Sequence, residues 1–565
     1  MKSFLSPSLV QFGVKSLAHL MSKILPLFTC LGRKLLSFSK SLRTLSAKLY
    51  RFLAFQVDPF WIHLFYLVSV SFLGFLGLKV FKPGNETFMP SDLNIFFMSV
   101  SATTVSSNAT VEMEVFSGTQ LVVFTLLMLL GGEVFTSMLG LQLSLPKYTA
   151  ESEKNEIEIN ACHKDQPISA TPFDIETQQD STSISSSEQS KLGTRAGFNF
   201  DTGNTGELKY NSLRYLCLIL LGYLICVHIC GYSLIQLYMS YVQSAREILK
   251  KKRLQTVTFS VFAAISSFAN CGFLPLNENM AIFRKNSGLL LIIIPQVLMG
   301  NTLFPVCLRL IIWVLWKFTH RDEFDYMLKN TSEMGYSHLF SSLPTCFLGL
   351  TALAFLLLQF VLFCILEWNS EPLDGLNSYQ KLVGALFQSV NSRHAGESIF
   401  DLSVLSPPIL VLYVAMMYLP AYTSFLPIEQ DGQLSIKNKK GKKRRRRLME
   451  TFGSSPIAYL VIFVILICIT EREKMREDPL NFSIFNIILE VISAYANVGF
   501  STGYSCERRI KSDNYCRDAS YGFCGRWSNK GKVILIIVMI LGKLKNFKTK
   551  RDKTWKLSLY VHQRH

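Results

Sequence analysis

The chain has 565 residues, 49% of them hydrophobic and 17% charged, with a mean hydropathy of +0.28 and a formal net charge of +18. Soluble domains carry roughly a quarter charged residues, so the composition excludes an ordinary soluble globule and points to a membrane protein. The positive balance does not indicate nucleic acid, because basic residues collect beside apolar runs, where they face the anionic lipid of a bilayer.

Residues 1–55 form a basic arm, without an acid before Asp58, that is expected to be cytoplasmic. The first unit, 56–146, opens with an apolar span at 60–81, long enough at about 20 residues to cross a hydrocarbon core. A loop with Pro83-Gly84 follows, together with the sequon Asn85-Glu86-Thr87, whose Asn85 is a glycosylation candidate. The apolar stretch at 93–105 is too short to cross, and a second span at 120–145 closes the unit. Such half-spans read as re-entrant segments, tolerated at membrane depth where backbone is buried in protein or lines water.

A polar Ser/Thr/Gln-rich segment, 147–211, reads as a disordered cytoplasmic loop. The unit then returns three times. In 212–320, spans at 213–241 and 289–316 flank the half-span 256–269. After a cytoplasmic linker at 321–341, the unit 342–427 has spans at 344–366 and 409–426 around 379–390. A polybasic loop, 428–454, precedes the unit 455–545, with spans at 457–469 and 533–541 around 485–496 and a tail at 546–565. Repetition of this kind predicts an all-α integral membrane fold, with eight spans and four re-entrant half-helices forming one pseudo-fourfold pore. With the N-terminus inside, every half-span enters from outside and the polybasic loop falls inside. The cluster Lys250–Arg253 lies on the outer side, against that bias.

Each half-span ends in a short signature: Val105-Ser106-Ser107, Asn270-Cys271-Gly272, His394-Ala395-Gly396 and Asn497-Val498-Gly499. A permeating ion sheds water and must be met by oxygen, which rings of backbone carbonyls supply. Aiming successive carbonyls at one axis takes backbone angles that glycine adopts without steric cost. Ser107, Gly272, Gly396 and Gly499 are therefore the candidate selectivity filter, flanked by Val105, Ser106, Asn270, Cys271, His394, Ala395, Asn497 and Val498. One such signature is weak, since glycine after a helix is often only a cap. Four in register, each between two spans, carry the argument.

These segments, with Gly131-Gly132-Glu133-Val134-Phe135, Pro295-Gln296-Val297-Leu298-Met299-Gly300-Asn301 and Asn391-Ser392-Arg393-His394, resemble the plant high-affinity potassium transporter (HKT) family, related to Trk and Ktr subunits. The resemblance spans about 60–541 apart from the loop 147–211. It implies passive transport of monovalent cations across a plasma membrane, a homodimer with one pore per chain, and a role in sodium homeostasis and salt tolerance. Ser107 at the first filter position resembles the sodium-selective subgroup, whereas glycine there implies potassium as well. Na+ is thus the expected permeant ion, with K+ the alternative. Two features depart from the family pattern: Asn108 after the filter, and the tail.

Glu112 and Glu114 either concentrate cations at the pore mouth or satisfy the N-terminus of the next span. Arg393 would repel a permeant ion unless paired, with Glu490 the suggested partner. Lys543 and Lys545 either ring the inner exit or snorkel to the interface. An oxidising exterior permits one disulfide among Cys506, Cys516 and Cys524, with Cys506–Cys516 preferred. A secondary transporter with inverted repeats is the rival mechanism. A nucleotide loop, paired metal-binding histidines and a nucleophile elbow are all missing from the sequence, so neither a cofactor nor enzymatic activity is expected.

Overall fold

The computed structural model describes residues 59–82, 84, 90–145, 202–420, 422–423, 456–510, 516–519 and 521–548. The N-terminal arm at 1–55, the sequon at Asn85, most of the loop 147–211, the loop 428–454 and the tail from 549 on lie outside them.

The first unit contains α1 (Pro59–Val80), the half-helix α2 (Asp92–Thr104), and an inner helix in two pieces, α3 (Gly118–Gly131) and α4 (Glu133–Leu145). The second contains α5 (Thr202–Tyr241), α6 (Gln243–Lys251), the half-helix α7 (Thr256–Ala269), and an inner helix divided into α8 (Ser287–Gly300) and α9 (Phe304–Thr319). After α10 (Asp322–Lys329), the third unit brings α11 (Ser342–Glu367), the half-helix α12 (Ser378–Asn391) and α13 (Pro407–Tyr418). The fourth has α14 (Pro456–Thr470), α15 (Arg472–Glu477), the half-helix α16 (Ile484–Ala496) and α17 (Asn529–Lys548). The fold is all-helical and membrane-spanning. Among the described residues three helices are long and apolar enough to cross alone, or up to five if each bent pair is one span.

Local chemistry sets the boundaries. Ser117 and Gln120 form a capping box at the start of α3, and Asn377 and Gln380 form one at the start of α12. In the third and fourth units a buried glutamate at the end of the outer helix holds the start of the inner one. Glu367 accepts from the Ser406 N–H at 2.8 Å, and Glu471 from the Ser528 N–H at 2.9 Å. Each carboxylate sits where the helix dipole favours a negative charge.

The helices differ from the sequence-based expectation in several places. The span expected over 120–145 bends by 55° at Gly132, whose ψ of 143 leaves the helical region. The span expected over 289–316 bends by 82° between α8 and α9, around Asn301 at φ −144. The third inner helix stops at Tyr418, because the residue before Pro420 is driven to extended backbone. Further, α5 begins at Thr202, inside the segment read as a loop. Its 40 residues span about 60 Å, twice a bilayer core. In its fourth turn it docks on α10, where Tyr215 meets Phe324 and the preceding Arg321.

Each half-helix packs on the inner helix of the preceding unit: α2 touches α17, α7 touches α3, α12 touches α8, and α16 touches α13; α2, α7 and α16 also pack on the inner helix of their own unit. The contact of α17 with α2 closes the circle, reinforced by Lys532 donating to Asn94 at 2.9 Å. The apolar core follows these junctions. Phe124 and Met128 of the first unit pack with Phe262 and Phe273 of the second, and Phe97 and Val100 pack with Leu535 and Val538 of the fourth.

Candidate functional site

The half-helices α2, α7 and α16 end alike. Val105, Asn270 and Asn497 take left-handed backbone at φ 53, 57 and 56, and the next N–H returns to a carbonyl five residues back. Asparagine tolerates this conformation through its short polar side chain. Its amide here is also a tie, Asn270 donating to the Val297 carbonyl at 3.3 Å and Asn497 to the Met539 carbonyl at 3.1 Å. The third unit departs: Ser392 stays right-handed, and the five-back bond runs from the Gly396 N–H to the Asn391 carbonyl at 3.1 Å.

Two residues beyond the caps of the first, second and fourth half-helices, and four beyond Ser392 in the third, the chain segments meet. Ser107, Gly272, Gly396 and Gly499 have φ of 52, 84, 70 and 99, all positive. They touch in sequence around a ring. A Cβ built on Gly272 would run into the Ala395 carbonyl oxygen, and one on Gly396 into the Val498 carbonyl oxygen. One on Gly499 would run into the Cβ of Ser107. At the fourth contact the Cys271 thiol lies beside the Ser107 backbone. Side-chain bonds cross the same junctions, from Ser267 to Glu397 at 2.5 Å and from Asn497 to Ser106 at 2.7 Å. The C-terminal ends of the half-helices point at this ring, and their partial negative charge favours a cation there.

On one side of the ring lies a cavity of about 40 Å³, room for one or two waters. Val105, Asn270, His394 and Asn497 line it, with Glu133, Asn301, Lys543 and Lys545 below them. Lys545 also donates to the Tyr495 carbonyl at 3.4 Å. Both lysines therefore face this cavity.

The other side carries the acids. Glu112 accepts from the Asn277 amide at 3.2 Å, and Lys252 lies 2.7 Å from Glu114 and 2.6 Å from Glu278. Partial burial pushes the Lys252 ammonium down, but the two carboxylates push it up by more and leave it raised. The bridge is therefore complete below the ordinary lysine range and is lost only as pH rises through the raised value. It also accounts for a basic cluster on the outer side: at least Lys252 is neutralised locally. Neither Glu112 nor Glu114 caps α3, a task that falls to Ser117. Nearby, Cys506 and Cys516 form a disulfide with Cα atoms 5.9 Å apart, while Cys524 is a buried thiol.

The suggested pairing of Arg393 with Glu490 does not occur. Arg393 donates to the Pro420 carbonyl at 2.9 Å and stacks 5.0 Å from the Phe355 ring, whereas Glu490 bonds to Asn108 and Cys524. Backbone carbonyls and ring faces serve a buried guanidinium as well as an acid does, and charge counting along a sequence does not reveal them. Glu133 and Asn301 were not singled out as cavity residues. The available signal was a polar residue directly after a glycine inside an apolar run, at both helix breaks.

The sequence signature of the TrkH family, described as cation transport protein, matches residues 202–549. The chain is 48% identical over 529 residues to the cation transporter HKT1;3 of Oryza sativa subsp. japonica, covering 94% of this chain and 97% of that one. It is 48% identical to the sodium transporter HKT1 of Arabidopsis thaliana, over 85% of this chain and 91% of that one. Against the rice cation transporter HKT2;4 the identity is 39%, over 88% and 94%.

Proposed function

Since this chain belongs to the TrkH family of cation transport proteins, within its HKT branch, we propose that it conducts sodium passively and selectively through the ring of Ser107, Gly272, Gly396 and Gly499. The observation that carries this reading is the ring itself: four segments, each turned left-handed at the same position, with serine where the other three have glycine. Carbonyls presented this way replace the water an ion sheds. The family transports cations and is not one of enzymes.

The finer points form part of the same proposal. The protein sits in a plasma membrane with its N-terminus in the cytoplasm, so that the half-helices enter from outside and the disulfide faces an oxidising space. It works as a homodimer with one pore per chain and serves sodium homeostasis under salt. Sodium passes from the side of Glu112 and Glu114 through the ring to the cavity at Lys543 and Lys545. There the lysines oppose cation occupancy and Glu133 offsets part of their charge.

Purified protein in liposomes should take up tracer sodium down its gradient without ATP or a proton gradient, and uptake should stop at electrochemical equilibrium. Accumulation beyond equilibrium, or a requirement for ATP, would overturn the passive mechanism.

A further inference from the structure

We propose that Glu490 is a positioning residue for ion selectivity, fixing the aim of the Ser107 carbonyl from behind the ring. This rests on the reading of the ring as the filter. Glu490 lies on α16 and is fully buried. One of its oxygens accepts from the Asn108 amide at 3.4 Å and from the Cys524 N–H at 3.2 Å. The Ser501 hydroxyl lies beside the same carboxylate. Asn108 directly follows Ser107, and Ser501 stands two residues past Gly499.

Two further links tighten the cluster. The Ser501 hydroxyl accepts from the Phe523 N–H at 2.8 Å, and the Cys524 thiol donates to the Ala109 carbonyl at 3.4 Å. The chain just past the first ring residue, the chain just past the fourth, and the segment leading into α17 therefore converge on one carboxylate. Counting seven residues back from the ring-side caps, the second half-helix has Ala263 and the first has Met98 where the fourth has Glu490. A carboxylate thus backs the junction that holds the serine quadrant, where those two half-helices place apolar side chains.

The direction of a carbonyl depends on ψ of its own residue and on where the following peptide is held. Asn108 holds the peptide after Ser107, and Glu490 holds Asn108. The carboxylate thereby acts through Asn108 on the oxygen that meets the ion. Ser501 ties the Gly499 side of the same junction, so the two adjacent quadrants are set together.

Reversal potentials in sodium–potassium mixtures test this, because they report a permeability ratio independent of how many molecules reach the membrane. Asn108→Ala and Glu490→Gln should each lower the sodium-to-potassium permeability ratio by about threefold or more. The double variant should fall no further than the larger single effect, as expected for two groups acting through one contact. If Glu490→Gln does not reach the surface, Asn108→Ala alone decides. Reduced current with an unmoved reversal potential would mean that the cluster only supports the fold, and additive shifts would mean that the residues act separately; either overturns the inference. Ser107→Gly in the same recordings separates the two levels. A shift there without one in Asn108→Ala defeats the positioning role alone, and no shift in Ser107→Gly defeats the filter reading and this inference with it.

Discussion

Replacing Ser107 with glycine should raise potassium permeability relative to sodium by about tenfold while leaving the protein folded. The three ring glycines sit at φ 70 to 99, whereas Ser107 sits at φ 52, within the narrow left-handed well open to residues with a Cβ. The serine quadrant therefore cannot follow the other three. Removing its Cβ allows the backbone to move into the glycine range and its carbonyl to match its neighbours. A tenfold change in the ratio needs only about 1.4 kcal/mol of differential ion binding, within reach of one re-aimed carbonyl in a four-part cage. Stability should change little. Relief of a left-handed serine gains on the order of 1 kcal/mol, and the added freedom of glycine in the unfolded chain costs a similar amount. Reversal potentials of wild type and Ser107→Gly in mixed solutions, with surface protein measured in parallel, decide the matter. Coincident reversal potentials would remove Ser107 from selectivity.

Gly396→Ala should have a larger effect and abolish transport, lowering current at least about a hundredfold, equivalent to roughly 2.7 kcal/mol. A Cβ there would collide with the Val498 carbonyl oxygen, which is backbone and cannot swing aside as a side chain can. Gly375 separates clash from strain. Its φ of +74 is as unfavourable for alanine, yet a Cβ there meets nothing within 4 Å. Gly375→Ala should cost about 1 kcal/mol of stability and keep its current. Current per surface molecule, measured for both variants, reports the difference. Normal conduction by Gly396→Ala would show that the four segments do not close on one another.

The four-unit architecture was legible because two independent periodicities coincide in the sequence. Long and half-length apolar runs alternate, and each half-length run ends in a small-residue signature with glycine or serine at one position. The helix breaks were less visible, because hydropathy averages over Gly132 and Asn301 and a bend leaves an apolar run apolar. Contact partners were legible only where local geometry dictates them. Cys506 and Cys516 lie close enough along the chain to bridge, but nothing near Arg393 in sequence indicates the Pro420 carbonyl or the Phe355 ring. Asn108 stood out as a departure from the family pattern. Its meaning needed the fold, since its partner Glu490 is 382 residues away.

The most direct test of the account is the reversal potential of the unmodified protein in a voltage-clamped membrane, when external sodium is replaced by potassium at constant ionic strength. If the ring is a sodium-selective passive filter, the reversal potential tracks the sodium gradient and moves strongly negative on replacement. A reversal potential that stays in place when the two ions are exchanged would contradict it.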